Sequence, residues 1–340
     1  MRVIGLLDGC AAALVFSACT SEQSPTEPST VTSEARAAAR TYTAVDLGTL
    51  GGGSSQAFGI NPAGQVVGSS ITAGGQTHAF LWEKGVMTDL GVGTMGQDFS
   101  NAEDINPSGQ VVGLYRRNGY YRAFLWDKGI MTDLGDLGGQ TSQATGINPA
   151  GQVVGLSTTA EGDTHAFLWT KGVMTDLGTL GGTFIQALAI NPAGQVVGWG
   201  WDESFTIHAV RWSRGVMTDL GGLNSALGIN PAGQVVGTGP SATEGNHAFL
   251  WAKGVVRDLG TLGGGFSFAL DINPAGQVVG WSGTATGETH AYLWANGVMT
   301  DLGTLGREPS FAYAINPAGQ VVGSSQTESG DFHATLWTRN

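Results

Sequence analysis

Between Thr20 and Asn340 the chain has no cysteine; Cys10 and Cys19 are its only 2 thiols, and both lie near the amino terminus. The long remainder therefore carries neither a disulfide framework nor a thiol nucleophile. Charge is also scarce. Only 12% of residues are charged, and 15 basic residues face 27 acidic ones, for a net charge of −12. Affinity for a phosphate backbone comes from clustered Lys and Arg, so no nucleic-acid partner is expected. No uninterrupted apolar stretch reaches the roughly 20 residues that a membrane helix needs. A helical hydrophobic period is missing, which removes the strand-to-helix setting of phosphate-binding glycine loops. The Asp/Asn-rich pattern of a calcium loop does not occur either. No cofactor and no resident metal are expected.

What the chain has is glycine, 56 residues of it, and a repeat. The phrase Ile-Asn-Pro-(Ala/Ser)-Gly-Gln-Val-Val-Gly recurs with its Asn at 61, 106, 148, 191, 230, 273 and 316. A period of about 40 to 45 residues rich in strand and turn signals is the mark of a β-propeller, with one four-stranded sheet per repeat. The turn chemistry agrees. Asn61-Pro62-Ala63-Gly64 sets φ with Pro and offers Gly where φ must be positive, as in a type I turn with a G1 bulge. Strands are expected on either side, at Gln56 to Ile60 and Gln65 to Ser69. A second hairpin joins His78 to Trp82 with Val86 to Leu90 around Glu83-Lys84-Gly85.

The termini suggest how such a ring closes. Asp-Leu-Gly, which ends the fourth strand, begins at Asp46, Asp89, Asp133, Asp176, Asp219, Asp258 and Asp301. The first copy precedes the first Asn-Pro turn, and the last repeat stops shortly after Trp337, one strand short. Thr41 to Leu47 can supply that strand, which removes an open edge. The expected fold is thus all-β: a seven-bladed β-propeller over 41–340, four antiparallel strands per blade, closed by the amino-terminal strand. A monomer is expected.

The first 40 residues differ in composition. Arg2 to Ala18 is mostly apolar but short and broken, and reads as an export signal. Phe16-Ser17-Ala18-Cys19 resembles a bacterial lipobox, with Phe where Leu is commonest. Residues 1–18 are then a lipoprotein-type signal peptide, with Cys19 the lipidation site and the only link to the membrane. Residues 19–40, rich in Ser, Thr, Pro and Glu, form a disordered tether. A surface or outer-membrane lipoprotein is expected, or a secreted protein if the lipobox is unused.

Together, His-Ala-Phe-Leu-Trp, Asp-Leu-Gly-Thr-Leu-Gly-Gly and Ile-Asn-Pro-x-Gly-Gln-Val-Val-Gly resemble the HAF-type extracellular repeat of bacterial exported proteins across 41–340. The resemblance implies a secreted or surface repeat protein and brings no catalytic residues.

A His recurs in one slot, at His78, His165, His208, His247, His290 and His333, with Arg122 in the second repeat. On a third strand, neighbouring copies would stand about 14 Å apart by the usual strand spacing, too far to share an ion with bonds of about 2.1 Å. They read as structural, as do the Asp-Leu-Gly aspartates. Function is expected where repeats disagree, on the face opposite the Asn-Pro and Lys-Gly turns, whose loops include Leu114 to Tyr121 and Trp199 to Phe205, with a shortened entry to the fifth repeat at Gly222 to Ser225. Candidate ligand-binding residues there are Tyr115, Arg116, Arg117, Tyr120, Tyr121, Arg122, Trp199, Trp201 and Trp281, because exposed rings and Arg suit a glycan or a protein surface. The non-repeat carboxylates Glu103, Asp104, Asp271, Asp202 and Glu203 support a rival reading as a carbohydrate-active enzyme, which would need two of them about 5 to 9.5 Å apart.

Overall fold

The computed structural model describes residues 42–91, 99–242 and 245–340. The expected signal peptide, Cys19 and the tether lie outside them. Every named element is a β-strand, 28 in all, and among the described residues no helix is long and apolar enough to cross a membrane.

The strands fall into antiparallel sets of four. The first is Gly51–Ile60, Val66–Thr72, Thr77–Glu83 and Val86–Asp89, in that order across the sheet. The second begins at Ser100–Ile105, the third at Gly138–Ile147, the fourth at Gly181–Ile190, the fifth at Ser225–Ile229 and the sixth at Gly263–Ile272. The third and fourth count as one eight-stranded sheet because a single parallel pair, Thr164 with Phe184, joins them. The last set runs Gly306–Ile315, Val321–Thr327 and Phe332–Arg339, and its fourth member is Tyr42–Asp46, antiparallel to Phe332–Arg339 with Asp46 opposite Thr335.

Local sequence explains these pieces. Gly64, at φ 79°, donates its N–H to the Asn61 carbonyl at 3.0 Å, and Asn61 N–H returns to Gln65 O, which closes the first hairpin with the expected bulge. The second hairpin is tighter than a loose loop. Glu83 pairs with Val86, so Lys84 (φ 50°) and Gly85 (φ 86°) alone make the turn, the type I′ geometry that matches strand twist. Two expectations need correction. The innermost strand starts at Gly51, well before Gln56. The stretch Leu114 to Tyr121 is not a loop: Arg117 pairs with Tyr120 across Asn118-Gly119, a two-residue hairpin whose Asn-Gly signal favours positive φ at both positions.

Each set is wedged against the next by an apolar cluster. Between the third and fourth, for example, Val154 and Ala166 meet Ile185, Ala187, Val196, Val210 and Trp212. Between the last and the first, Val322, Ala334 and Leu336 meet Ala57, Ile60, Val66 and Phe80. The repeat Trp packs here, and the Trp212 indole donates to Leu177 O of the preceding set at 3.0 Å.

The Asn of the repeat phrase links the sets by hydrogen bonds. Asn61 Nδ2 donates to Asn106 O at 3.3 Å, and Asn106, Asn148, Asn191, Asn230 and Asn273 each donate likewise to the next Asn carbonyl. Asn316 donates to Asn61 O at 3.2 Å, so the chain of bonds returns to its start. Each Asn is about 1% exposed, and bonds to groups this dry are costly to lose.

Candidate functional site

The Asp-Leu-Gly turns and the turns between second and third strands emerge at one end of every sheet, and their frame is built from His and Asp. In the first set His78 Nδ1 lies 2.6 Å from Asp89 Oδ2, while Asp89 Oδ1 accepts the Gly91 N–H at 2.8 Å. The same bond joins His165 to Asp176, His208 to Asp219, His247 to Asp258 and His290 to Asp301. His333 pairs with Asp46, 287 residues earlier, at 2.8 Å. Each carboxylate thus fixes a turn and a neighbouring strand together.

The second set replaces this pair with a larger assembly. Arg122 binds Asp133 and Asp136 at once, Arg117 Nη1 reaches Asp133 at 3.4 Å, and Tyr115 donates its hydroxyl to Asp133 Oδ2 at 3.0 Å. Burial raises both carboxyls, but the Gly135 and Gly138 amides and the Arg122 guanidinium outweigh it and hold both below the usual range. Tyr115 is fully buried, in a slot filled by Ser70 or Ser157 elsewhere, so its place among the ligand contacts is corrected: it supports Asp133 from beneath. Arg117, Asn118, Tyr120, Arg122, Asp133 and Gln140 line a shallow depression of about 250 Å³. Arg116 is exposed, Tyr120 is 45% exposed, and Tyr121 packs edge-on to Phe99 at 5.6 Å.

The fourth set carries an aromatic ladder. Trp199 and Trp201 each lie 5.2 Å from Phe184, and Trp201 continues to Phe205 at 6.4 Å. Phe205 is 74% exposed and held at φ 61°. Its turn, closed by Phe205 N–H to Asp202 O, matches turns that place Gly75, Gly162, Gly287 and Gly330 at the same point. An aromatic residue in left-handed backbone is strained, by about 1 to 3 kcal/mol. Asp202 is spent on this turn, accepting the Ser204 and Thr206 amides and meeting His208 Nε2 at 3.2 Å, and Glu203 beside it is exposed. The shortened fifth set leaves a second depression of about 290 Å³ bounded by Ile207, His208, Asp219 and Leu223.

Trp281 is half-buried rather than displayed. It stacks on Phe268 at 5.1 Å and meets Phe311 edge-on at 5.5 Å, in a cluster that continues through Tyr313 to Phe58. Phe184, Phe268, Phe311 and Tyr313 escaped the sequence reading. For Phe268 and Phe311 the available signal was an aromatic residue at the slot that Gln56, Gln143 and Gln186 fill in other repeats.

The carboxylates on the innermost strands are held by backbone. Asp104 accepts Ile105 N–H at 2.7 Å and Ile147 N–H of the next set at 2.9 Å; Asp271 does the same with Ile272 and Ile315. Glu103 accepts from Asn101 and Gln143. Burial pushes Glu103 up to about 7 and Asp104 up to about 6, with the charge of Asp104 adding to the rise at Glu103 and that of Asp271 to the rise at Asp104.

No protein-family model and no curated protein matches the chain. Solved structures do match. The β-propeller domain of the Trilobed protease from Pyrococcus furiosus aligns with a TM-score of 0.57 at 9% identity, over 84% of this chain and 97% of that one. Pyrococcus horikoshii acylaminoacyl peptidase aligns with a TM-score of 0.53 at 11% identity, over 84% of this chain and 52% of that one. TolB from Acinetobacter baumannii has a TM-score of 0.46 at 11% identity, over 77% of this chain and 76% of that one. The first two alignments, with the four-strand antiparallel sets, define the class: the described chain is a β-propeller.

Proposed function

We propose that the chain is a seven-bladed propeller closed by Tyr42–Asp46, exported and lipid-anchored at Cys19, that binds a glycan or protein at the bacterial cell exterior as a HAF-type repeat protein. The Asn-to-Asn bonds that return to Asn61 and the pairing of Tyr42–Asp46 with Phe332–Arg339 support the closed ring. The observation that carries the binding reading is Phe205. A turn that elsewhere uses glycine instead holds an exposed phenyl ring at a strained φ, in line with Trp201, Phe184 and Trp199. Flat rings in a row present stacking surface to the apolar face of a sugar or to a protein side chain, and Tyr120 and Tyr121 widen the same face.

The test is a glycan and envelope-protein binding screen with the full chain. Phe205→Gly should abolish capture of the hit while raising stability by about 1 kcal/mol, because glycine relieves the left-handed strain. Joint replacement of Tyr120, Tyr121 and Trp201 by Ala should also abolish it. Undiminished capture by both variants would sink the reading.

A second reading, a carbohydrate-active enzyme, is favoured only by Glu103, whose carboxyl near 7 could act as an acid at neutral pH. Turnover on a polysaccharide panel that disappears in Glu103→Gln would support it; no turnover removes it.

A further inference from the structure

His208 and His290 each turn the second ring nitrogen to a carboxylate at 3.2 Å, Asp202 and Glu308, but among the described residues only at His290 does another carboxylate, Glu288, join the group. His290 Nδ1 is fixed by Asp301 Oδ2 at 2.6 Å. Nε2 is buried and faces Glu308 Oε1 at ion-pairing distance, 3.2 Å. Glu288 completes the group: one ligand atom from each of Glu288, His290 and Glu308 falls within 4.8 Å of the others.

The residues come from two neighbouring sets. His290 opens Thr289–Ala295 and Glu288 lies just before it, whereas Glu308 belongs to Gly306–Ile315 of the last set. Glu308 is also an exception within the repeat. Counting from the leucines that bridge to the second strand (Leu50, Leu137, Leu180, Leu262, Leu305), its slot is Gly53, Gln140, Thr183 and Gly265 elsewhere. No fold requirement common to the repeats calls for a carboxylate there.

We propose that Glu288, His290 and Glu308 bind one divalent first-row transition ion, best matched to Zn²⁺, that clips the sixth set to the last. One imidazole nitrogen with two carboxylate oxygens is a donor set such ions accept. The Asp301 bond to Nδ1 is the outer partner expected of a metal-binding His: it fixes the tautomer that leaves an Nε2 lone pair free and makes the ring more basic. Three protein ligands leave room for water or a ligand group in a fourth position. The site sits at the same end of the sheets as Phe205 and Tyr120, so an ion with an open position could also engage a partner's oxygen atoms.

The experiment is Zn²⁺ titration of the untagged, chelator-treated full chain by calorimetry, with the thermal midpoint followed in parallel. One equivalent should bind and raise the midpoint. Glu308→Gln, which mirrors the natural Gln140, should keep the fold and lose that equivalent. Asp301→Asn should weaken binding about 10- to 100-fold, the usual effect of removing an outer-shell partner. Asp331→Asn, beside His333, should bind as the parent does. The proposal is overturned by zero stoichiometry in the parent, or by undiminished binding in Glu308→Gln, which would place any bound ion elsewhere.

Discussion

The hydroxyl of Tyr292 is buried without a hydrogen-bond partner, and burial alone holds its pKa far above the usual phenol value. The same position across the second-strand glycine holds Phe80, Phe124, Phe167 and Phe249 in other sets. An unpaired buried hydroxyl costs about 1 to 3 kcal/mol, so Tyr292→Phe should raise the stability by about 1 kcal/mol, seen as a higher urea midpoint at unchanged slope. Glu103 behaves oppositely to a salt-bridged acid. Its carboxyl is lifted from 4.5 to about 7, so the folded chain holds a proton there that the unfolded chain releases. The corresponding stability is complete below pH 4.5 and is lost as pH rises through about 7. Glu103→Gln should therefore be more stable than the parent at pH 8, by about 1 kcal/mol given its partial contact with solvent, and the gap should close at pH 4. Residues such as Tyr115 show why sequence stops short at this scale. Its neighbours Arg116 and Arg117 are exposed, as the sequence reading has them, but Tyr115, two positions further from the hairpin on the face it shares with Arg117, is covered and reaches Asp133, 18 residues away.

At the scale of the element, the Val-Val-Gly phrase is the most legible and the most constrained. The innermost strand bulges between Ala144 and Gly146, and this carries the Gln143 carbonyl over Gly155; a Cβ on Gly155 would lie 1.9 Å from that oxygen. The same approach recurs at Gly68, Gly113, Gly198, Gly237, Gly280 and Gly323. Gly155→Ala should therefore cost about 3 kcal/mol, as overpacking against backbone does, measurable by chemical denaturation. The turns and strands could be read because Asn-Pro-x-Gly and Lys-Gly encode their own dihedral angles. The bulge could not, because the sequence marks it only by which residues fail to pair. The hairpin at Asn118-Gly119 was legible through its Asn-Gly pair, yet the surrounding Tyr and Arg residues obscured it.

For the whole molecule, the pairing of Tyr42–Asp46 with Phe332–Arg339 joins the two ends of the described chain, through five strand positions and the His333–Asp46 bond. Deleting 42–47 should bare the edge of Phe332–Arg339 and the apolar cluster around Leu47, lowering the thermal midpoint and promoting self-association. Size-exclusion chromatography and a thermal melt would check both; an unchanged midpoint would mean that this strand contributes little. The sequence by itself determined the period, the four-strand unit, the turn types and the displaced Asp-Leu-Gly, because each depends on dihedral preferences and spacing carried within one repeat. Only the tertiary structure decided which exceptions meet: that Phe184 and Phe205 flank Trp201, that Tyr115 is hidden, and that Glu308 faces His290. Those encounters join residues of different strands or different sets, and packing alone brings them together.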